Sequence, residues 1–233
     1  MLEPVTVTRH LLLSSMETIL GRRARAADTW LANAASAATR PETFAAAFAS
    51  ASRHAGRSAL ALTSEEVDEL RPAGVTWSIA RWALDDFARA ALLVRAAQSM
   101  NAPTLQAVTD HCYRIGDTRE RQGILRALAL LPYPDRFLAL AIEAARSGVV
   151  PLFEAVAGEN PYPALHFPAL SFNHLVLSAL VNGVALERII GLSGRVTPQL
   201  VRMANEWAAE RRSASRRIPA DLSYLTTAAH TAA

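Results

Sequence analysis

The stretch Gly116–Pro132, GDTRERQGILRALALLP, decides the fold class. Asp117 follows a glycine and has the side chain of a helix N-cap. Charge fills the first turn with Arg119 and Glu120, and Ile124, Leu125, Leu128 and Leu131 then recur at helical spacing. Pro132 ends the run, because proline has no N–H to donate and crowds the preceding turn. The result is an amphipathic helix that needs a neighbour over its apolar face.

The same grammar runs outward. Thr63-Ser64-Glu65-Glu66 has the form of a capping box, in which the Thr63 hydroxyl accepts from the Glu66 amide and Glu66 reaches back. Thr197-Pro198 sets a cap before a proline at the first helical position. Pro41, Pro103, Pro168 and Pro219 suit first turns, and Gly21, Gly148 and Gly183 suit helix ends. The spacing predicts helices near 5–20, 23–38, 41–54, 63–71, 76–99, 103–115, 118–131, 134–147, 149–157, 168–182, 198–214 and 219–227. No run alternates as a strand does. Hydrophobic residues make up 51% of the chain, with alanine dominant, and alanine loses no side-chain freedom in a helix.

Pro132 opens a Pro-Tyr-Pro run, and the tripeptide returns at Pro161-Tyr162-Pro163, 29 positions on. With the short connections, this echo predicts an all-α fold of stacked antiparallel helical hairpins, HEAT-like or α-solenoid-like, over roughly 76–215. One all-helical domain is expected over 1–227, with 228–233 a disordered tail. Pro132-Tyr133-Pro134 reads as an ordinary helix boundary. In Asn160-Pro161-Tyr162-Pro163, a residue before proline is steered from the α region, so Asn160 and Tyr162 are expected extended in a stiff connector.

Composition narrows the function classes. The 24 basic residues are all arginine, and the formal net charge is only +3, which does not argue for nucleic acid. The single cysteine, Cys112, excludes an internal disulfide framework and CxxC metal pairs. No window approaches about 18 uninterrupted apolar residues, so no transmembrane segment is expected. Ser14, Ser15 and Glu17 interrupt the early leucine run, so no signal peptide is expected either, and the chain reads as cytoplasmic. No glycine-rich phosphate loop, nucleophile elbow or H-E-x-x-H motif is present, and no cofactor or metal is expected.

Six polar residues stand out as candidates for a ligand pocket. Asp85 and Arg89 are spaced i, i+4 on the long helix, which suits an ion pair within the helix or a charged pair lining a groove. Glu120 sits in a first turn. A capping box with Asp117 would bring like charges together, which leaves Glu120 for an arginine of a neighbouring helix. Asn160 and Tyr162 belong either to a structural joint or to a pocket rim. Asn173 lies within the apolar FNHLVLSAL and needs a hydrogen-bond partner, expected in the proline connector, or else a ligand. Arg202, Arg211, Arg212, Arg216 and Arg217 form a basic stretch interleaved with Glu206 and Glu210, suited to solvent or to an anionic lipid surface.

The block Phe153–Arg195, with Asn160-Pro161-Tyr162-Pro163, Phe167, Asn173 and Val176-Leu177, resembles the EboA family. The resemblance continues through Thr197-Pro198-Gln199-Leu200 to Ile218-Pro219. Upstream it includes WALDDFARAALL (Trp82–Leu93) and the Gly116–Pro132 stretch, covering roughly 76–225. The family's usual lysine is Ser178 here, and its frequent tryptophan and glutamine are Phe172 and His174, so no role resting on that lysine carries over. The resemblance implies a cytoplasmic accessory in secondary-metabolite biosynthesis or precursor trafficking, cyclitol- or prenyl-linked. Its implied partners are companion biosynthetic or membrane proteins of the ebo-type gene set and a small-molecule metabolite. A binding or scaffold protein is the leading expectation. An enzyme acting on a phosphorylated cyclitol or prenyl intermediate and a membrane-surface adaptor are the alternatives.

Overall fold

The computed structural model describes residues 7–37 and 41–225. Among them the regular structure is helical, with one isolated antiparallel bridge between Ala59 and Ala83. The chain gathers into two compact units, the described residues of Pro4–Leu140 and those of Ala141–Ala233. The tail expected to be disordered, 228–233, lies outside the described residues.

The first unit holds α1 (Arg9–Arg23), α2 (Arg25–Ala37), α3 (Pro41–Ala55), α4 (Ser64–Leu70), α5 (Leu84–Ser99), α6 (Ala102–Ile115) and α7 (Thr118–Ala127). The boundary falls in α8 (Leu138–Arg146). α5 is the axis of this unit, with α1, α2, α3, α6 and α7 all packed against it. It is buried on every side from Leu84 to Val94. Ala88, Ala90 and Ala91, all fully buried, let neighbours come close. A helix enclosed in this way is ordinarily apolar all round. α5 instead carries Asp85, Asp86 and Arg89 in its buried part.

Helix starts follow the caps. Thr63 and Glu66 form the expected box, with the Glu66 amide donating to Thr63 Oγ1 (3.3 Å) and the Thr63 amide to Glu66 Oε2 (2.9 Å). Thr197 caps its helix by accepting from the Leu200 amide at 3.1 Å. Glu120 corrects the sequence reading, because it does complete a box with Asp117. The Glu120 amide donates to Asp117 Oδ1 (2.9 Å) and the Asp117 amide to Glu120 Oε2 (3.0 Å). Each carboxylate answers a different amide, and the positive helix N-terminus offsets their mutual repulsion.

Among the boundaries that depart from the periodicity, three have a visible local or tertiary counterpart. The helix expected from residue 76 begins at Leu84, because the backbone ahead of it is engaged elsewhere. The Leu60 amide donates to the Trp82 carbonyl and the Leu84 amide to the Ser58 carbonyl, both at 2.9 Å. The Ala83 amide donates to Asp86 Oδ2 at 2.8 Å, which starts the helix there. α1 runs through Gly21 to Arg23 rather than stopping at the glycine. α7 gives way at Leu128–Leu130 to a 3-10 turn, closed by the Leu131 amide on the Leu128 carbonyl.

The second unit contains α9 (Val150–Ala157), α10 (Tyr162–His166), α11 (Ala169–Asn182) and α12 (Pro198–Ser213). α11 packs on α9, on α12 and on the 3-10 turn Leu186–Arg188. Gly183, at φ 70°, ends α11, and the Val184 amide returns to the Ala179 carbonyl. Tyr162 corrects a further expectation. It is the first residue of α10 rather than extended, and the φ and ψ of Pro161 are −75° and −15°. Proline at the second helical position lacks only an N–H that a first turn leaves unpaired, so the turn forms despite the pre-proline bias. Tyr133, in the other run, takes the left-handed conformation at φ 58° and is 48% exposed. The same tripeptide therefore serves two different geometries.

Candidate functional site

Charge is concentrated where α7 crosses α5. Asp85 is fully buried and accepts from three donors: Arg89 Nη1 at 2.7 Å, Arg119 Nη2 at 2.7 Å and Arg119 Nε at 3.3 Å. Asp86 pairs with Arg126 Nη1 while capping Ala83. Arg89 is 2% exposed and lies over the Phe48 ring, 5.6 Å from its centroid. Its Nε is buried without a hydrogen-bond partner. Gly123 makes the close approach possible, since a Cβ there would stand 3.0 Å from Arg89 Cδ. Arg119, Gly123 and Arg126, at i, i+4 and i+7, form one face of α7 laid on the Asp85-Asp86-Arg89 face of α5.

The two adjacent aspartates respond differently. Burial pushes Asp85 up, but hydrogen bonds and charge from Arg119 and Arg89 outweigh it and hold the carboxyl below the usual range. Burial dominates at Asp86 and raises its carboxyl despite the Arg126 charge. With both aspartates ionised, three arginines face two carboxylates, and the pairs hold one another rather than a reacting group. Glu120 is turned to Asp117 and does not join them. Burial also pushes the Cys112 thiol up to about 12, which removes it as a nucleophile near neutrality.

The other three candidates lie in the second unit, and each faces inward. Asn160 is 4% exposed, donates from Nδ2 to the Ala155 carbonyl and accepts on Oδ1 from the Tyr162 amide, both at 3.0 Å. Tyr162 is fully buried, with its ring 4.8 Å from that of His166 and edge-on to Phe167 at 6.4 Å. Asn173 departs from its expected tie to the proline connector. Its Nδ2 contacts Met203 Sδ on α12 at 4.0 Å instead.

Sequence reasoning missed the groups that brace this region. Arg188 grips Glu159 from Nε (2.8 Å) and Nη2 (3.0 Å) and Glu154 from Nη1 (2.7 Å). The Glu159 bonds, followed by those to Glu154, raise the guanidinium above its ordinary value. Arg195 caps the end of α10, donating to the carbonyls of Pro163, Ala164 and Phe167, and stacks 4.2 Å over Phe172. Arg195 lies beyond α11 in the chain, so sequence alone does not connect it to the carbonyls it caps. Arg202 and Arg212 on α12, and Arg216 and Arg217 just beyond it, are exposed among the exposed Glu206 and Glu210, while Arg211 stacks on Trp207.

A different part of the first unit is concave. α4, the turn Arg71–Ala73 and the irregular run that precedes α5 surround a cavity of about 320 Å³. Leu62, Val67, Leu70, Val75, Trp77 and Ile79 line it, and Arg71 is the one charged side chain among the lining residues. The walls are tied down. Arg23 donates to the carbonyls of Leu60 (2.6 Å) and Ala61 (3.0 Å), and to Glu66 Oε1 at 2.9 Å. Glu66, only 5% exposed, is held below the usual carboxylate range chiefly by that Arg23 bond. Ala61 sits at φ 41°, a conformation that a non-glycine residue keeps only when its surroundings impose it. Gly74 turns the chain at φ 100°. None of the six residues predicted from sequence lines this cavity. The available signal was Asp85-Asp86 itself, since paired acids mark a helix's first turn and so free the preceding residues to form a wall.

Among the described residues, no group of three or more histidine, cysteine or carboxylate side chains could hold a metal ion. Among them, too, no helix is long and apolar enough to cross a membrane. No curated protein and no solved structure matches the chain. A family model described as metabolite traffic protein EboA matches residues 11–226, a span that runs through both compact units. The chain belongs to the EboA family.

Proposed function

We propose that this protein is a cytoplasmic accessory of metabolite traffic. It binds a small metabolite, or holds partner enzymes together, in secondary-metabolite biosynthesis or precursor movement of a cyclitol- or prenyl-linked kind. The observation that carries this reading is the family match over residues 11–226. The geometry supports binding over catalysis. Asp85, Arg89, Glu120 and Asn160 already hold other groups of the protein, and Tyr162 and Asn173 are buried in contacts within their own unit. An enzyme acting on a phosphorylated cyclitol or prenyl intermediate would need several of them free to meet substrate.

The proposed scaffold is a set of helical hairpins of HEAT-like type. Chain neighbours pack on one another, α1 on α2, α2 on α3, α5 on α6 and α6 on α7, as hairpins require. The enclosure of α5 by five helices goes beyond a one-dimensional stack.

Affinity capture with the companion proteins of the gene set, together with native mass spectrometry of the purified chain, tests the reading. Recovery of a companion or of a bound small molecule is expected. Finding neither, alongside turnover of a phosphorylated cyclitol or prenyl substrate, would replace it with the enzymatic reading.

A further inference from the structure

We propose that the cavity beside α4 is a binding site for a compact, mostly apolar or aromatic small molecule bearing a single anionic group. The inference rests on the metabolite-binding reading and names its site and ligand class. At about 320 Å³ the cavity lies at the lower end of ordinary small-molecule pockets, which have apolar walls and a few placed polar groups. It has room for about ten waters at ~30 Å³ each, which suits a bicyclic or short-chain molecule rather than a nucleotide.

The lining dictates the chemistry. Leu62, Val67, Leu70, Val75 and Ile79 favour an apolar body, and half-buried Trp77 adds an aromatic face. Arg71 supplies the one cation. Its partner is Asp68 at 3.1 Å, and both side chains are well exposed, at 65% and 69%. An ion pair in that setting is weak, so a ligand carboxylate or phosphate can compete for the guanidinium. A second charge on the ligand would face apolar wall and pay for its desolvation without a partner.

The site is built rather than incidental. The periodicity of residues 76–83 favours continuing α5 backward, yet the chain leaves the helix there. Trp82 and Leu84 are bonded instead to the Ser58–Leu60 strip. Ala61 is held in the left-handed region, with Arg23 bonded to its carbonyl. A local sequence preference overridden by tertiary structure, next to a strained residue and a cavity, marks a place shaped for a purpose beyond folding.

The test uses 2-naphthoate as probe and its neutral amide as control, titrated into the full chain and followed by tryptophan fluorescence and calorimetry. Wild type is expected to bind the acid about fivefold more tightly than the amide. Val67→Trp fills the cavity from a position that is 41% exposed, so the fold is retained, and it is expected to weaken both ligands at least about tenfold. Arg71→Gln is expected to weaken the acid about fivefold and leave the amide unchanged. No binding to wild type, equal binding to Val67→Trp, or a dimer that Val67→Trp dissociates would overturn the proposal. Companion capture by the wild-type chain, set beside its probe titration, separates the two readings. Capture intact with no probe binding at the cavity refutes the cavity alone. Probe binding with neither capture nor a native ligand refutes the traffic reading alone.

Discussion

The α5–α7 seam and the cavity beside α4 belong to one compact unit, yet they treat polarity in opposite ways. The seam is closed and ionic, with Asp85, Asp86 and Arg89 at 0, 2 and 2% exposure and Arg119 and Arg126 completing the pairs. The cavity is open and apolar, with one exposed cation at its edge. Conspicuous charge drew the sequence reading to the seam. Charge buried among its own partners holds helices in place, whereas an apolar hollow with a loosely held cation leaves its groups free to meet a ligand.

The largest expected effect falls on the seam. Asp85→Asn leaves Arg89 buried without its anion and is expected to lose about 3–5 kcal/mol in urea unfolding. A loss under about 1 kcal/mol would remove the seam from the list of what stabilises the unit. Gly123→Val forces a side chain against Arg89 Cδ, and Arg89 is held by Asp85 and Phe48, so a loss of about 1–3 kcal/mol is expected by the same measurement. In the second unit, Asn160→Ala strands the Tyr162 amide and the Ala155 carbonyl and is expected to cost about 1–3 kcal/mol.

Titration sharpens the contrast within the seam. The folded-state carboxyl of Asp85 lies below its usual 3.8, so its stabilisation is present above that value and lost as pH falls through the folded one. Asp86 has the opposite sign. Its folded value lies above 3.8, so its contribution is complete below 3.8 and lost as pH rises through the folded value. Unfolding midpoints measured between about pH 2 and 6 should therefore show a shallower acid limb in Asp85→Asn and a steeper one in Asp86→Asn. Identical limbs in the two variants would contradict the assignment. The smallest effect belongs to the cavity: Val67→Trp should change stability by less than about 0.5 kcal/mol, as a surface substitution does.

What the sequence disclosed follows the range of the forces involved. The caps at Thr63, Asp117 and Thr197, the stop at Gly183 and the Asp85–Arg89 pair act within one or two turns, and all were legible. The start of α5 was legible only in part: Asp85-Asp86 mark a first turn, but the strip 58–60 that holds residues 82–84 lies far away in the chain. Arg119 and Arg126 were visible as residues but not as partners of Asp85 and Asp86, since periodicity gives a face without saying what it meets. Glu120 was misjudged by weighing two charges against each other and leaving out the helix end between them. Tyr133 and Tyr162 show the same limit. Identical tripeptides diverge because one tyrosine is enclosed by His166 and Phe167 and the other is half exposed.

The most direct test of the division between a holding seam and a binding cavity is the affinity of 2-naphthoate for folded Asp85→Asn. A dissociation constant within about twofold of wild type is expected, in a protein that unfolds at markedly lower urea. A loss of binding about tenfold or greater, with the helical circular dichroism intact, would place the ligand on the seam and contradict that division.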